Sequence, residues 1–158
     1  LCGGRAYRYL SACWAQDVAA AQALSVKPTA SAAAVERLQG ELSALKLRCA
    51  KLEESVFAGV AARYAGSGDV LLFEDEMGGE SVRRLCDAVA ETCGGRCAVF
   101  AGAGSAWKYA IGQRGGDLRA LTKELNAALS GRGGGMPEFV QGSVDAEREA
   151  IEAFFAEK

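Results

Sequence analysis

The stretch GRGGGMPEFVQGS, residues 131–143, decides how the C-terminal part of this chain is read. Four of its first five residues are glycine, and Arg132 is the one side chain among them. Glycine loses more conformational freedom on folding than any other residue, so such a run needs a reason. The sequence alone leaves two open. The run is a slack connector between helices, or its glycines take positive φ and let backbone N–H groups approach an anion or another backbone closely. Either way residues 131–137 read as a loop, with a short extended piece around Phe139-Val140-Gln141. A Gly134→Val substitution separates the two, because a β-branched side chain is strained only if φ there is positive.

On either side of the loop the period is helical. DLRALTKELNAALSG, 117–131, is an amphipathic helix with Asp117 as expected N-cap and Gly131 just past its end. DAEREAIEAFFAEK closes the chain as another, with Asp145 as expected N-cap. Further back the period alternates between two and 3.6. DVLLFED (69–75) is a buried strand and ESVRRLCDAVAETC (80–93) a helix. CAVFAGA (97–103) and WKYAIGQ (107–113) are two strands across the turn Gly104-Ser105. Gly66-Ser67-Gly68 marks a boundary. Before it lie a helix over 5–24, a break at Ser25 to Thr29 containing Pro28, and a long helix over about 30–65. In that helix Val35, Leu38, Leu42, Leu45, Cys49, Leu52 and Val56 repeat at spacings of three and four, an a/d heptad pattern. Leu38, Leu42, Leu45 and Leu52 are the expected seam of self-association, partly covered by Leu10, Trp14 and Val18 of the first helix. The fold class is therefore α+β: a long helical hairpin, or coiled-coil arm, over 1–65, then a small mixed sheet packed with helices over 66–158.

Composition narrows the function. Half the residues are hydrophobic and about a quarter charged, as in globular proteins. No apolar run reaches the roughly 18 residues of a membrane span, and LCGGRAYRYL lacks the pattern of a signal peptide. Without an initiator Met, the chain reads as a fragment of something longer. Net charge is −2, yet residues 96–132 carry six basic side chains against Asp117 and Glu124. A basic face on an acidic protein is thus expected there.

The chain contains no histidine, so no His-based nucleophile pair can be built. Six cysteines lie at spacings wrong for zinc and read as reduced thiols of a cytoplasmic protein. Cys13, Cys49 and Cys86 sit at apolar positions and are expected to be buried. GGESVRR (78–84) reads as a plain helix start more than a phosphate site. Glu74, Asp75 and Glu76 read as a solvated strand end more than a cation site. AGAGSAWK is not a phosphate-binding loop. Trp107 and Tyr109 share one face of their strand, either as core or as platforms for unpaired bases.

The spacing Gly133-Gly134-Gly135-x-Pro137-x-x-x-Gln141-Gly142 resembles the glycine-rich signature of the C-terminal accessory domain of alanyl-tRNA synthetases. That domain also occurs in alanyl-tRNA editing proteins of the AlaX type and, in related form, after DHH phosphoesterase domains. LCGGRAYRYL resembles the last strand of the alanyl-tRNA editing domain as it enters the helical arm. Met136 and Glu138 depart from the commoner residues at their positions. The resemblance implies a tRNA(Ala)-binding, dimerising module whose parent clears tRNA(Ala) mischarged with serine or glycine. The zinc of that activity would belong to an upstream domain, so no cofactor and no deacylation are expected of this chain. The RNA-contacting residues implied by signature and charge together are Lys108, Arg114, Arg132, Gly133, Gly134, Gly135 and Gln141. A DHH-type substrate-binding accessory domain and a purely structural dimerisation module are the alternatives.

Overall fold

A computed structural model describes residues 3–75 and 77–157. Leu1, Cys2, Glu76 and Lys158 lie outside them, and with them the start of LCGGRAYRYL and one of the three strand-end carboxylates. The chain divides into two compact units, Leu1–Lys51 and Leu52–Lys158.

The first unit is helical. Helix α1 spans Gly4–Ala23 and α2 spans Ser31–Arg63, entered through a 3-10 turn at Pro28–Ala30; from Leu52 onward α2 belongs to the second unit. The stretch that resembles the end of an editing-domain strand is therefore helical from Gly4 onward. Pro28 starts its turn because its fixed φ suits a first helical position. The Ser31 hydroxyl donates to Asp17 at 2.5 Å, tying the two helices at their turn. Ala21 and Ala34 bury there. Cover stops at that end: Leu10 and Trp14 are 64% and 60% exposed, and Leu38, Leu42 and Leu45 are 42–58% exposed. Cys13 and Cys49 are exposed too, against expectation, because none of the described residues covers their helix faces.

The second unit holds a five-stranded sheet in the order β1-β2-β3-β5-β4. Strand β1 (Gly68–Glu74) runs parallel to β2 (Gly94–Ala103), and helix α3 (Gly79–Ala90) makes the crossover between them. β3 (Ala106–Gln113) turns back antiparallel through Gly104-Ser105, where Gly104 takes φ 61°. Helix α4 (Arg119–Ala128) leads to the edge strand β4 (Arg132–Met136). A two-residue turn at Pro137-Glu138 returns the chain as β5 (Phe139–Asp145), which inserts between β3 and β4, and α5 (Arg148–Ala156) follows. The expected glycine loop is thus a strand. Its amides can pair with β5, whereas a loop would leave them to solvent. Three expected boundaries also move. α4 is preceded by Leu118 at its cap and ends two residues earlier than expected, while α5 starts after Glu147, since Asp145 is still paired to Ala106 in the sheet.

Alternation along the strands sorts the core into two layers. One face presents Val70, Leu72, Cys97, Val99, Ala101 and Ala110 to α3 and to Phe57 and Ala61 of α2. The other presents Ala98, Phe100, Trp107, Tyr109, Ile111, Val140 and Val144 to Leu118, Leu125, Leu129 and Ile151. Both Trp107 and Tyr109 are therefore core. The indole N–H of Trp107 donates to the Ala146 carbonyl at 3.1 Å, and burial pushes the Tyr109 phenol up from its usual range. The Cys86 thiol is held neutral by its hydrogen bonding with Cys97 and by burial, both of which raise its pKa. Among the described residues no helix is long and apolar enough to cross a membrane.

Candidate nucleic-acid interface

The face that carries α3 is only half covered. Helices lie over β1, β2 and the Ala110–Gly112 end of β3. On this same face cross-strand pairing sets three rows, whose β5 and β4 members lie beyond the helices. Lys108, Ser143 and Arg132 form the first, Ala110, Gln141 and Gly134 the second, and Gly112, Phe139 and Met136 the third. Lys108, Arg132, Ser143, Gln141 and Gly134 are all exposed. Lys108 and Arg132, with Ser105, Ser130, Ser143 and Asp145, line a cavity of about 660 Å³. Arg114, Gln141, Gly134 and Gly135 line another of about 360 Å³, with Arg83 and Asp87 of α3 on its wall.

Charge is not shared evenly among the expected cations. Arg114 donates to Asp87 at 2.8 Å and also to Glu91, so two carboxylates of α3 hold it at the rim. Arg96 is bound to Asp69 at 2.9 Å. Arg119 is bound to Asp117 at 2.6 Å. The guanidinium and the amide of Arg119 together hold the Asp117 carboxyl down to about 2. Lys108, Lys123 and Arg132 have no acidic partner among the described residues. The basic excess of 96–132 therefore reduces to these three, two of which sit in one row of the open strip.

The glycines of β4 alternate between the faces. None of Gly133, Gly134 and Gly135 has positive φ, so left-handed backbone is not why they are glycine. A Cβ on Gly133 would strike the Tyr109 hydroxyl and lie 2.6 Å from the Gln141 carbonyl oxygen. One on Gly135 would strike the Phe139 carbonyl oxygen, and one on Gly142 the Arg132 carbonyl oxygen. These three are glycine because their own sheet approaches them. Gly134 differs: a Cβ there meets nothing within 4 Å, and it opens onto the strip.

Anchors fix the hairpin. The Asn126 amide donates to the Gly133 carbonyl at 3.2 Å. Leu118 N–H donates to the Pro137 carbonyl at 2.7 Å and Gln113 N–H to the Glu138 carbonyl at 2.9 Å. The Glu138 carboxylate accepts from Gly115 N–H at 3.1 Å. Glu138 thus serves the turn, which accounts for an acid at that position.

Of the residues expected at the site, Lys108, Arg132, Gly134 and Gln141 come together on the strip. Arg114 borders it under carboxylate restraint. Gly133 and Gly135 face the other way, toward a groove of about 250 Å³ with Arg119, Thr122, Lys123 and Asn126. Ser143, Ser105 and Ser130 belong to the site and were not among the expected residues. The alternation of Gln141 and Ser143 with Val140 and Val144 was the available signal for the first of them. Among the described residues no three His, Cys, Asp or Glu side chains converge on a metal position. Gly78 and Gly79 open α3 as an ordinary helix start, with Glu80 in its first turn.

No family model matches this chain, and no curated protein matches it. Among solved structures it is similar to the exonuclease RecJ bound to manganese, at 21% identity and a TM-score of 0.50, over 82% of this chain and 32% of that one. It is also similar to the C-Ala domain of alanyl-tRNA synthetase from Aquifex aeolicus, at 20% identity and a TM-score of 0.48, over 56% of this chain and 89% of that one. At these identities the likeness to RecJ is one of fold, and this chain spans about a third of that protein's length.

Proposed function

We propose that this chain is the RNA-binding, self-associating accessory part of a cytoplasmic protein that acts on alanyl-tRNA, with tRNA(Ala) as its nucleic-acid partner. An upstream zinc-bearing domain of that parent would deacylate tRNA mischarged with serine or glycine. The observation that carries this reading is the pair of unpartnered cations, Lys108 and Arg132, flanking Ser143 on the uncovered half of the sheet. Two cations and a hydroxyl in one row suit phosphate oxygens, and side-chain-free backbone at Gly134 lets a sugar-phosphate chain lie close. The glycine signature of 133–142 supports the same assignment. Self-association is proposed through the exposed seam Leu38, Leu42, Leu45 and Leu52 of α2.

Each phosphate contact releases counterions, with a slope of log K against log salt near −0.7 to −0.9 per contact. Replacing Arg132 or Lys108 by Ala is expected to weaken binding to labelled tRNA(Ala) and to lower that slope by about one unit for each contact removed. Arg114→Ala is expected to do less, because its charge is already met by Asp87 and Glu91. Fluorescence anisotropy at several salt concentrations checks this, with melting curves of each variant alongside. Unchanged affinity and slope in the Lys108→Ala/Arg132→Ala double variant would remove RNA from the reading and leave a dimerisation module. Tighter binding of single-stranded DNA than of tRNA would favour the DHH-type alternative.

A further inference from the structure

We propose that α2 pairs with α2 of a second copy of this chain, parallel and in register, so that the two Cys49 thiols face each other across the axis. The proposal rests on the self-association reading above and fixes its geometry. Val35, Leu38, Leu42 and Leu45 are 42–58% exposed along one side of the helix, and the Cys49 thiol is exposed with them. The first helix does not cover them, since Leu10 and Trp14 are themselves exposed. An apolar stripe of this length on one helix marks an interaction surface.

The occupant follows from the heptad. With Val35 at a, Leu42 and Cys49 take a, while Leu38, Leu45 and Leu52 take d. A β-branched residue among the a positions with leucine at every d favours two parallel strands. The flanking charges are self-complementary. Glu41 falls at g and Lys46 at e of the next heptad, and a parallel, in-register pair brings g against the partner's following e. Glu41 therefore meets Lys46 of the second copy, and symmetry makes the contact twice. Among the described residues Glu41 is held by an exposed pair with Arg37 at 3.3 Å, which is open to exchange. In this arrangement a packs against a, and Cys49 meets its own counterpart. In an antiparallel pair a packs against d, and Cys49 would meet a d-position leucine instead.

The test uses the full chain with Cys2→Ser and Cys13→Ser, leaving Cys49 as the one exposed thiol among the described residues. Copper(II)–phenanthroline, one electron per copper, takes the two electrons from the paired thiols, their two protons pass to solvent, and a disulfide forms between chains. Sedimentation is run on the same sample without oxidant. The expected result is a dimer that cross-links nearly completely, with no cross-link in Cys49→Ser and a monomer for Leu42→Glu. Position 42 is exposed, so the glutamate variant keeps its fold, as circular dichroism would confirm. A dimer that does not cross-link overturns the parallel register and leaves self-association standing. A monomeric parent chain overturns both, even if slow cross-links accumulate by collision.

Discussion

Gly142→Ala is expected to destabilise the second unit by about 1–3 kcal/mol or more, and Gly133→Ala by a similar amount. The new Cβ has nowhere to go. At Gly142 it would strike the Arg132 carbonyl oxygen and lie 2.6 Å from the Gly133 Cα, both backbone atoms of the neighbouring strand. At Gly133 it would strike the Tyr109 hydroxyl, which is packed in the core and bonded to Asn126 at 3.4 Å. Relief in either case requires β4 to move off β5, which gives up ladder hydrogen bonds. Gly134→Ala is the internal control. Its Cβ meets open space at ordinary φ, so the substitution is expected to be neutral or to stabilise by up to about 1 kcal/mol through the unfolded chain. Even Gly134→Val is expected to fold, since the strain of a left-handed backbone does not arise. Urea unfolding of the three alanine variants checks the ordering. A Gly134→Ala loss as large as that of Gly142→Ala would mean that β4 does not lie against β5 in the register described.

The second large effect lies on the same face, in the cross-strand row that holds Tyr109, Gly142 and Gly133. Phe100→Ala is expected to cost about 3–5 kcal/mol. Phe100 is fully buried, and its ring sits 5.7 Å from Phe73, 5.8 Å from Tyr109 and 5.8 Å from Phe155. It links β1, β3 and α5 to the centre of the sheet, so removing it leaves a cavity that three elements border and none can fill without moving. The same truncation at the exposed Leu45 is expected to leave unfolding of the second unit unchanged. Thermal unfolding, with a shift of about 2–4 °C per kcal/mol for a chain of this size, measures both. Equal shifts at the two positions would contradict the burial described.

The strands with side chains were legible because apolar residues mark their period. DVLLFED, CAVFAGA and WKYAIGQ all became strands, and the helix between the first two became the crossover. β4 was not legible for the same physical reason in reverse: glycine carries no side chain to show which face it presents, so a pleated strand and a slack loop read alike. The pairing Gly133↔Gly142 is visible only once Pro137-Glu138 is known to be a two-residue turn. Trp107 and Tyr109 show a related limit. Their spacing put them on one face, but alternation alone does not say which face is covered, and here α4 and α5 cover it. Of the site, Lys108 and Arg132 were readable as charge. That Arg114 would be held by Asp87 and Glu91, 27 and 23 residues away, was not.

The edge position of β4 has a consequence for how the second unit breathes. β4 pairs on one side only, with β5, and its three central residues add no side-chain burial of their own. Elements with exposed backbone hydrogen bonds and few buried apolar contacts open first in the native state. Detaching β4 uncovers the Tyr109 hydroxyl that Gly133 lies against, but Val140 and Val144 belong to β5 and stay in place. What remains is a four-stranded sheet, β1-β2-β3-β5, with its cores intact. The amides of 132–136 therefore exchange with solvent deuterium well ahead of those in β2 and β3, and the strip can lose Arg132 from its row and regain it while the rest of the unit stays folded.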